Sequence, residues 1–128
     1  MAKVLLDASL LLIMASKPLN LIGELEEILG KTELLVLENT VKELEAMNKR
    51  ISTKRSKQAK LALDFVKGIG HVSYSREGSV DDKILGYAIE NGLAVATMDK
   101  ELRRRSRAMG LTVITLRGDR LMIDGSML

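Results

Sequence analysis

Four acidic residues stand where the chain could gather them for metal chemistry: Asp7, Glu43, Asp81 and Asp99. Asp7 follows Val4-Leu5-Leu6 and Asp99 follows Val95-Ala96-Thr97-Met98, each just past a short apolar run that reads as a buried strand. Glu43 and Asp81 fall in the first turns of helix-like segments that come after strands. In open parallel sheets, ligands bind beyond the carboxyl ends of the strands, so all four acids can converge on one edge. Crowded carboxylates repel one another and hold raised pKa values unless a cation sits among them. With no cysteine and one histidine in the chain, a cluster of oxygens favours Mg²⁺ or Mn²⁺ over zinc.

Each acid also has a plainer reading. Asp7 and Asp99 occupy positions suited to ordinary helix N-caps. Thr40-x-x-Glu43 has the pattern of a capping box, and Ser79-x-x-Asp82 has the spacing of one. That second pattern separates two neighbours. Asp82 has a local task as partner of Ser79, which leaves Asp81 freer to face a metal and makes Asp82 its alternate. Periodicity does not choose between Glu43 and Glu45, which flank the apolar stripe of Val41, Leu44 and Met47 on opposite sides. The case for a site rests on the recurrence of acids at one predicted edge.

The elements that must position them alternate along the chain. Strands are expected at Lys3–Leu6, Glu33–Leu37, His71–Tyr74, Leu93–Thr97, Leu111–Leu116 and Arg120–Ile123. Helices are expected at Leu19–Leu29, Thr40–Lys49, Thr53–Lys67, Val80–Glu90 and Lys100–Ala108, with Gly30, Asn91-Gly92 and Gly110 as stops. Strands separated by helices mean βαβ units and a mainly parallel sheet, an α/β fold. The 128 residues suit a single domain spanning 1–128, and 46% apolar residues suffice for its core. No apolar run approaches the roughly 20 residues of a membrane span. The longest, Leu10–Ala15, lacks a basic leader and a cleavage signal, and the absence of cysteine excludes disulfides. A cytoplasmic protein with no membrane partner is the expectation.

The net charge is only +3, but it is uneven. Lys49, Arg50, Lys54, Arg55, Lys57 and Lys60 occur with no acid among them, and Lys100, Arg103, Arg104, Arg105 and Arg107 are relieved only by Glu101. Such clusters suit a phosphate backbone, although a solvated helix face is the commoner explanation for either one. With only Phe65, Tyr74 and Tyr87 as aromatics, any grip on RNA should be electrostatic rather than by base stacking. His71 is most simply structural, and the seven methionines suit gap-filling in the core.

Four segments in order carry a resemblance: Leu5-Leu6-Asp7-Ala8-Ser9, Thr40-Val41-Lys42-Glu43-Leu44, Asp81 through Leu93, and Val95-Ala96-Thr97-Met98-Asp99. Together they resemble the PIN domain family and span most of the chain. The resemblance implies a three-layer α/β/α sandwich, makes Asp7, Glu43, Asp81 and Asp99 an acidic quartet, and chooses Glu43 over Glu45. Ser9 and Thr97 match small hydroxyl positions lining such sites, or else satisfy nearby backbone. Where the family's third-acid helix is rich in alanine, this one carries Lys83, Leu85 and Tyr87. The stretch from Asp99 to Arg104 resembles ribosomal-RNA-processing members more than VapC-type toxins.

The activity implied is Mg²⁺- or Mn²⁺-dependent endoribonuclease cleavage of single-stranded or structured RNA. Asp7, Asp81 and Asp99 would be direct or water-mediated metal ligands, and Glu43 a ligand or the residue that orients water. Lys49, Arg50, Lys54, Arg55, Lys57, Arg103, Arg104 and Arg105 would hold flanking phosphates without reading sequence. Two alternatives share the fold: a non-catalytic RNA-binding scaffold, and a VapC-type toxin with an antitoxin partner. No glycine-rich phosphate loop follows any strand, which argues against Walker-type or dinucleotide sites. Relatives of this kind pair into homodimers, and the apolar face of Leu21–Leu29 could serve that purpose or belong to the core.

Overall fold

The computed structural model describes residues 1–14, 20–50 and 53–125. Its elements run β1 (Ala2–Leu6), α1 (Ala8–Met14), α2 (Leu21–Leu29), β2 (Thr32–Leu37), α3 (Glu38–Asn48), α4 (Lys54–Val66), β3 (Gly70–Val72), α5 (Val80–Asn91), β4 (Ala94–Ala96), α6 (Lys100–Ala108), β5 (Val113–Arg117) and β6 (Arg120–Ile123). Ala15 and Leu19, the ends of two segments expected from the sequence, lie outside the described residues.

The six strands form one sheet in the order β3-β2-β1-β4-β5-β6. All neighbours are parallel except β5 and β6, an antiparallel hairpin turned at Gly118 with φ 60°. The sheet separates two cores, because successive side chains of a strand point to opposite faces. Val4, Leu6, Leu34, Val36, Ala94 and Ala96 pack toward α1, α2, α3 and α4. Leu5, Leu35, Leu37 and Val95 pack toward α5 and α6. The result is the three-layer α/β/α sandwich.

The distribution of helices follows from handedness. The chain steps outward from β1 to β2 to β3, then returns past β1 to β4 and β5. Crossovers between parallel strands keep one hand, so reversing the direction of travel moves the helices to the other face. The reversal lies between β1 and β4, and the open crevice of such a sheet is found there, at the strands' carboxyl ends.

Two details differ from the sequence expectations, and a third, left open there, is filled in. Residues 8–14 form a helix that no periodicity announced, since Leu10, Leu11 and Leu12 are all buried and no polar face alternates with them. The apolar face of α2 is core: Leu21 and Leu25 are buried, and Ile28 and Leu29 pack against the same cluster. The Thr40–Glu43 capping box is absent. β2 passes directly into α3 at Glu38, so Thr40 lies inside the first turn, and the N-cap position falls to Leu37, which makes no side-chain cap. The Thr40 hydroxyl is buried without a partner among the described residues.

Candidate active site at the sheet switch point

β1 and β4 are paired through Leu6 and Ala96, so the residues that leave them, Asp7 and Thr97–Asp99, emerge side by side at the reversal. The Asp7 amide donates to the Ala96 carbonyl at 2.9 Å, continuing the ladder one step beyond the strand. Asp7 is buried, yet it is held as an acceptor of charge-assisted bonds. The Ser9 hydroxyl donates to its Oδ2 at 2.6 Å, and the Thr97 hydroxyl donates to the same oxygen at 2.7 Å.

Each of these hydroxyls also serves the facing loop. Ser9 Oγ accepts the Met98 N–H at 2.9 Å, and Thr97 Oγ1 accepts the Asp99 N–H at 3.0 Å. A hydroxyl carries one proton. With both protons aimed at Asp7, the 3.0 Å approach of Ser9 Oγ to Thr97 Oγ1 is a packing contact between acceptors. The two readings offered for Ser9 and Thr97 therefore hold together: they satisfy backbone and orient the carboxylate. Asp7 does not serve as a side-chain cap in these bonds. Asp99 does, since its Oδ1 accepts the Leu102 N–H at 2.8 Å and caps α6.

Glu43 on α3 and Asp81 on α5 complete the edge. Burial lifts the Glu43 carboxyl above its ordinary range, and the negative charges of Asp7 and Asp81 lift it further. Burial likewise raises Asp81, with Asp7 and Asp99 adding to the rise and Arg105 opposing it. These mutual influences link all four acids across elements from both faces of the sheet. Glu45, by contrast, is exposed.

Asp82 takes the local role expected of it. Its Oδ2 accepts the Ser79 N–H at 3.0 Å while Ser79 Oγ accepts the Asp82 N–H at 3.1 Å, a closed capping box. Its Oδ1 accepts from Arg105 at 2.7 Å. The Arg105 bond, then the Ser79 bonds, hold its carboxyl below the ordinary range. Both oxygens are engaged, which leaves Asp81 as the acid facing its fellows.

The basic residues divide into distinct places. Arg55 on α4 shares a cavity with Ser9 and Asp99. Lys49, Arg50, Lys54 and Lys57 are exposed at the end of α3 and the start of α4. Arg103 and Arg104 line a groove of about 710 Å³ along α6 with Lys100, Arg107 and Arg117, which nothing in the sequence had joined to them. The Arg103 Nε is buried there without a partner among the described residues. Arg104 pairs with Glu101, its Nε donating to Oε2 at 3.0 Å. Arg105 is turned away to Asp82. His71 is structural: its Nε2 lies 2.7 Å from the Val66 carbonyl oxygen.

Whether a divalent cation fits can be judged from the donors. Among the described residues, no three acids or imidazoles stand close enough to grip one ion directly. A hard ion such as Mg²⁺ keeps several waters and takes one or two carboxylates, so it does not require three protein ligands. The raised carboxyls of Glu43 and Asp81 mark where positive charge is wanted.

Known proteins agree with this architecture. A curated relative, Ribonuclease VapC9 of Archaeoglobus fulgidus, is 26% identical over 114 residues, covering 89% of this chain and 82% of its own. The solved structure of the PIN domain endonuclease Utp24 superposes with a TM-score of 0.80 at 21% identity, over 95% of this chain and 90% of that one. A PilT N-terminus domain protein from Sulfolobus solfataricus shares the fold at a TM-score of 0.54 and 13% identity, over 88% and 86%. The family model described as PIN-like domain matches residues 4–119, a span that holds the whole carboxylate edge, and the chain belongs to that family.

Proposed function

We propose that the protein is a metal-dependent endoribonuclease that hydrolyses RNA phosphodiester bonds at the switch-point edge, in an RNA-processing role within the cytoplasm. The observation that carries this reading is the gathering of Asp7, Glu43, Asp81 and Asp99 at one edge, where burial first and the neighbouring acids second raise the carboxyls of Glu43 and Asp81. Asp7, Asp81 and Asp99 would hold Mg²⁺ or Mn²⁺, directly or through water, and Glu43 would be a ligand or orient the attacking water. Such an ion supplies a Lewis acid for the scissile phosphate and a route to hydroxide at neutral pH.

The chain's own groups do the remaining work. Ser9 and Thr97 fix the Asp7 carboxylate in one rotamer, which spares reorganisation when substrate arrives. A carboxyl with raised proton affinity, as in Glu43, is the better base for a water proton. The α6 groove, lined by Lys100, Arg103, Arg104, Arg107 and Arg117 with Glu101 and Asp124 also on its walls, offers donors to a flanking phosphate.

The test is cleavage of an end-labelled single-stranded RNA with Mn²⁺, with EDTA, and with Asp81→Asn. Internal cuts that need both metal and Asp81 are expected, and an Asp81→Asn rate within a few-fold of wild type would sink the assignment. Salt-sensitive binding without turnover would instead indicate the scaffold. The likeness to a protein named VapC9 favours a second reading, a VapC-type toxin restrained by an antitoxin partner. Growth arrest on expression, relieved by Asp81→Asn, distinguishes it.

A further inference from the structure

Beside the carboxylates the surface opens into a cavity of about 220 Å³ between α1, α4 and the segment that joins β4 to α6. It shares Ser9 and Asp99 with the acid edge. We propose that this cavity receives the nucleobase adjoining the scissile phosphate, and that Gln58 determines which base is accepted. The proposal rests on the nuclease reading and names a specificity residue for it.

Size comes first. The cavity falls below the roughly 300 Å³ at which pockets for larger ligands begin, so it has room for a single flat ring system. Its walls suit one. Leu12, Ile13 and Met98 provide apolar surface, and a methionine sulfur packs well against an aromatic ring. Met98 is also held in place: its sulfur accepts the Leu116 N–H at 3.4 Å and the Thr115 hydroxyl at 3.5 Å. Among the described residues no aromatic side chain lines the cavity, so the ring lies between aliphatic and thioether surfaces rather than stacked on another ring.

The polar groups then choose the ligand. Gln58 is half-buried on α4, and among the described residues its amide makes no hydrogen bond. The amide is free to exchange water for a base that enters the cavity. An amide presents a donor and an acceptor together, the complement of adenine N7 and N6, with which glutamine pairs in bidentate fashion. Guanine is disfavoured, because its O6 and N7 are both acceptors and the Gln58 carbonyl would face one of them. Arg55 at the rim can hold the phosphate attached to the bound nucleotide. A free anion is a poorer occupant of the cavity itself, since Asp99 on its wall repels it.

Two measurements test this. In the first, an RNA pool randomised around its cleavage positions is cut with Mn²⁺ and the products are sequenced. Wild type should prefer adenine at one position next to the cut. Gln58→Ala should lower that preference at least about five-fold, the low end of what a bidentate base pair contributes, and Gln58→Glu should shift it toward cytosine. Cleavage with no base preference at that position, or a preference untouched by Gln58→Ala, overturns the proposal.

The second needs no catalysis. Metal-free protein is titrated with adenosine 5′-monophosphate and with ribose 5-phosphate while the Gln58 side-chain amide and Met98 methyl signals are followed by NMR. Both signals should move with the nucleotide and stay with the sugar phosphate, and Gln58→Ala should abolish saturation. Signals that stay still with both ligands overturn the base site whatever the cleavage assay gives. Signals that move in a protein that cuts no RNA uphold the base site and remove the nuclease reading alone.

Discussion

Thr97→Val is the sharpest probe of the network around Asp7. Valine has nearly the shape of threonine, so the fully buried site keeps its packing and loses only the hydroxyl. Two bonds disappear. One is the donor to the Asp7 carboxylate at 2.7 Å, a bond to a charged group that contributes about 1.5–3 kcal/mol. The other is the acceptor for the Asp99 N–H, contributing about 0.5–1.5 kcal/mol. The variant should therefore lose about 2–4 kcal/mol.

Unfolding entropy of about 2.1 cal/mol/K per residue makes each kcal/mol equal to about 4 °C for a chain of this length, so Tm should fall by about 8–15 °C. Thermal denaturation in EDTA measures it, with Thr97→Ser as the control that keeps the hydroxyl and loses about 1 kcal/mol of methyl burial. A double-mutant cycle with Asp7→Asn locates the effect, since the cost of Thr97→Val should shrink by at least about 1 kcal/mol once the charge is gone. A Tm change within about 3 °C, or full additivity in the cycle, would refute the reasoning.

Other outcomes follow from the same structure. The carboxyls of Glu43 and Asp81 are raised above 4.5 and 3.8, so their contribution to stability is present below those values and is lost as pH rises through the folded-state values. Without metal, wild type should lose stability relative to Asp81→Asn as pH is raised from about 4 to 8, by no more than about 1 kcal/mol given solvent screening. Parallel pH–Tm curves would contradict it. Thr40→Val removes a buried, unpartnered hydroxyl and should leave Tm unchanged or raise it by up to about 4 °C; a clear loss in a thermal melt would show that the hydroxyl has a partner in solution. Gly86→Ala, ordinarily worth up to about 1 kcal/mol in a helix, should instead destabilise, because the new Cβ would stand 2.5 Å from the Tyr74 hydroxyl. A gain in denaturant midpoint would show that the ring moves aside freely.

Sequence periodicity located most elements because each half-buried segment wrote its burial into its pattern. Lys100–Ala108 was expected and found with the same ends, and Gly92 closes α5 in the left-handed conformation with φ 65°. α1 escaped because a helix buried on several sides has no polar stripe to give its period. The Thr40 box failed for a related reason, since a strand that runs straight into a helix can do without a side-chain cap. Three of the four acids were legible as neighbours of strand ends or caps. Periodicity did not separate Glu43 from Glu45; the family resemblance chose Glu43, and in the fold Asp7 and Asp81 lie near it while Glu45 is exposed. Gln58 and Arg117 gave no local signal: what joins them to the edge and the groove is the packing of α4 on α1 and the return of the β5–β6 hairpin along α6.

The clasp between Asp7 and Thr97 joins residues 90 positions apart. During synthesis at about 5–20 residues per second, β1 therefore waits roughly 5–18 s for the strand that will lie beside it. Until then Asp7 has neither the Thr97 hydroxyl nor the Asp99 carboxylate, and the β1 edge that β4 will cover is open. An emerging chain thus holds no assembled carboxylate edge until the segment from Thr97 to Asp99 has left the ribosome, itself built largely of RNA. With about 90 residues between them, the two halves of the edge come together only after both have been made.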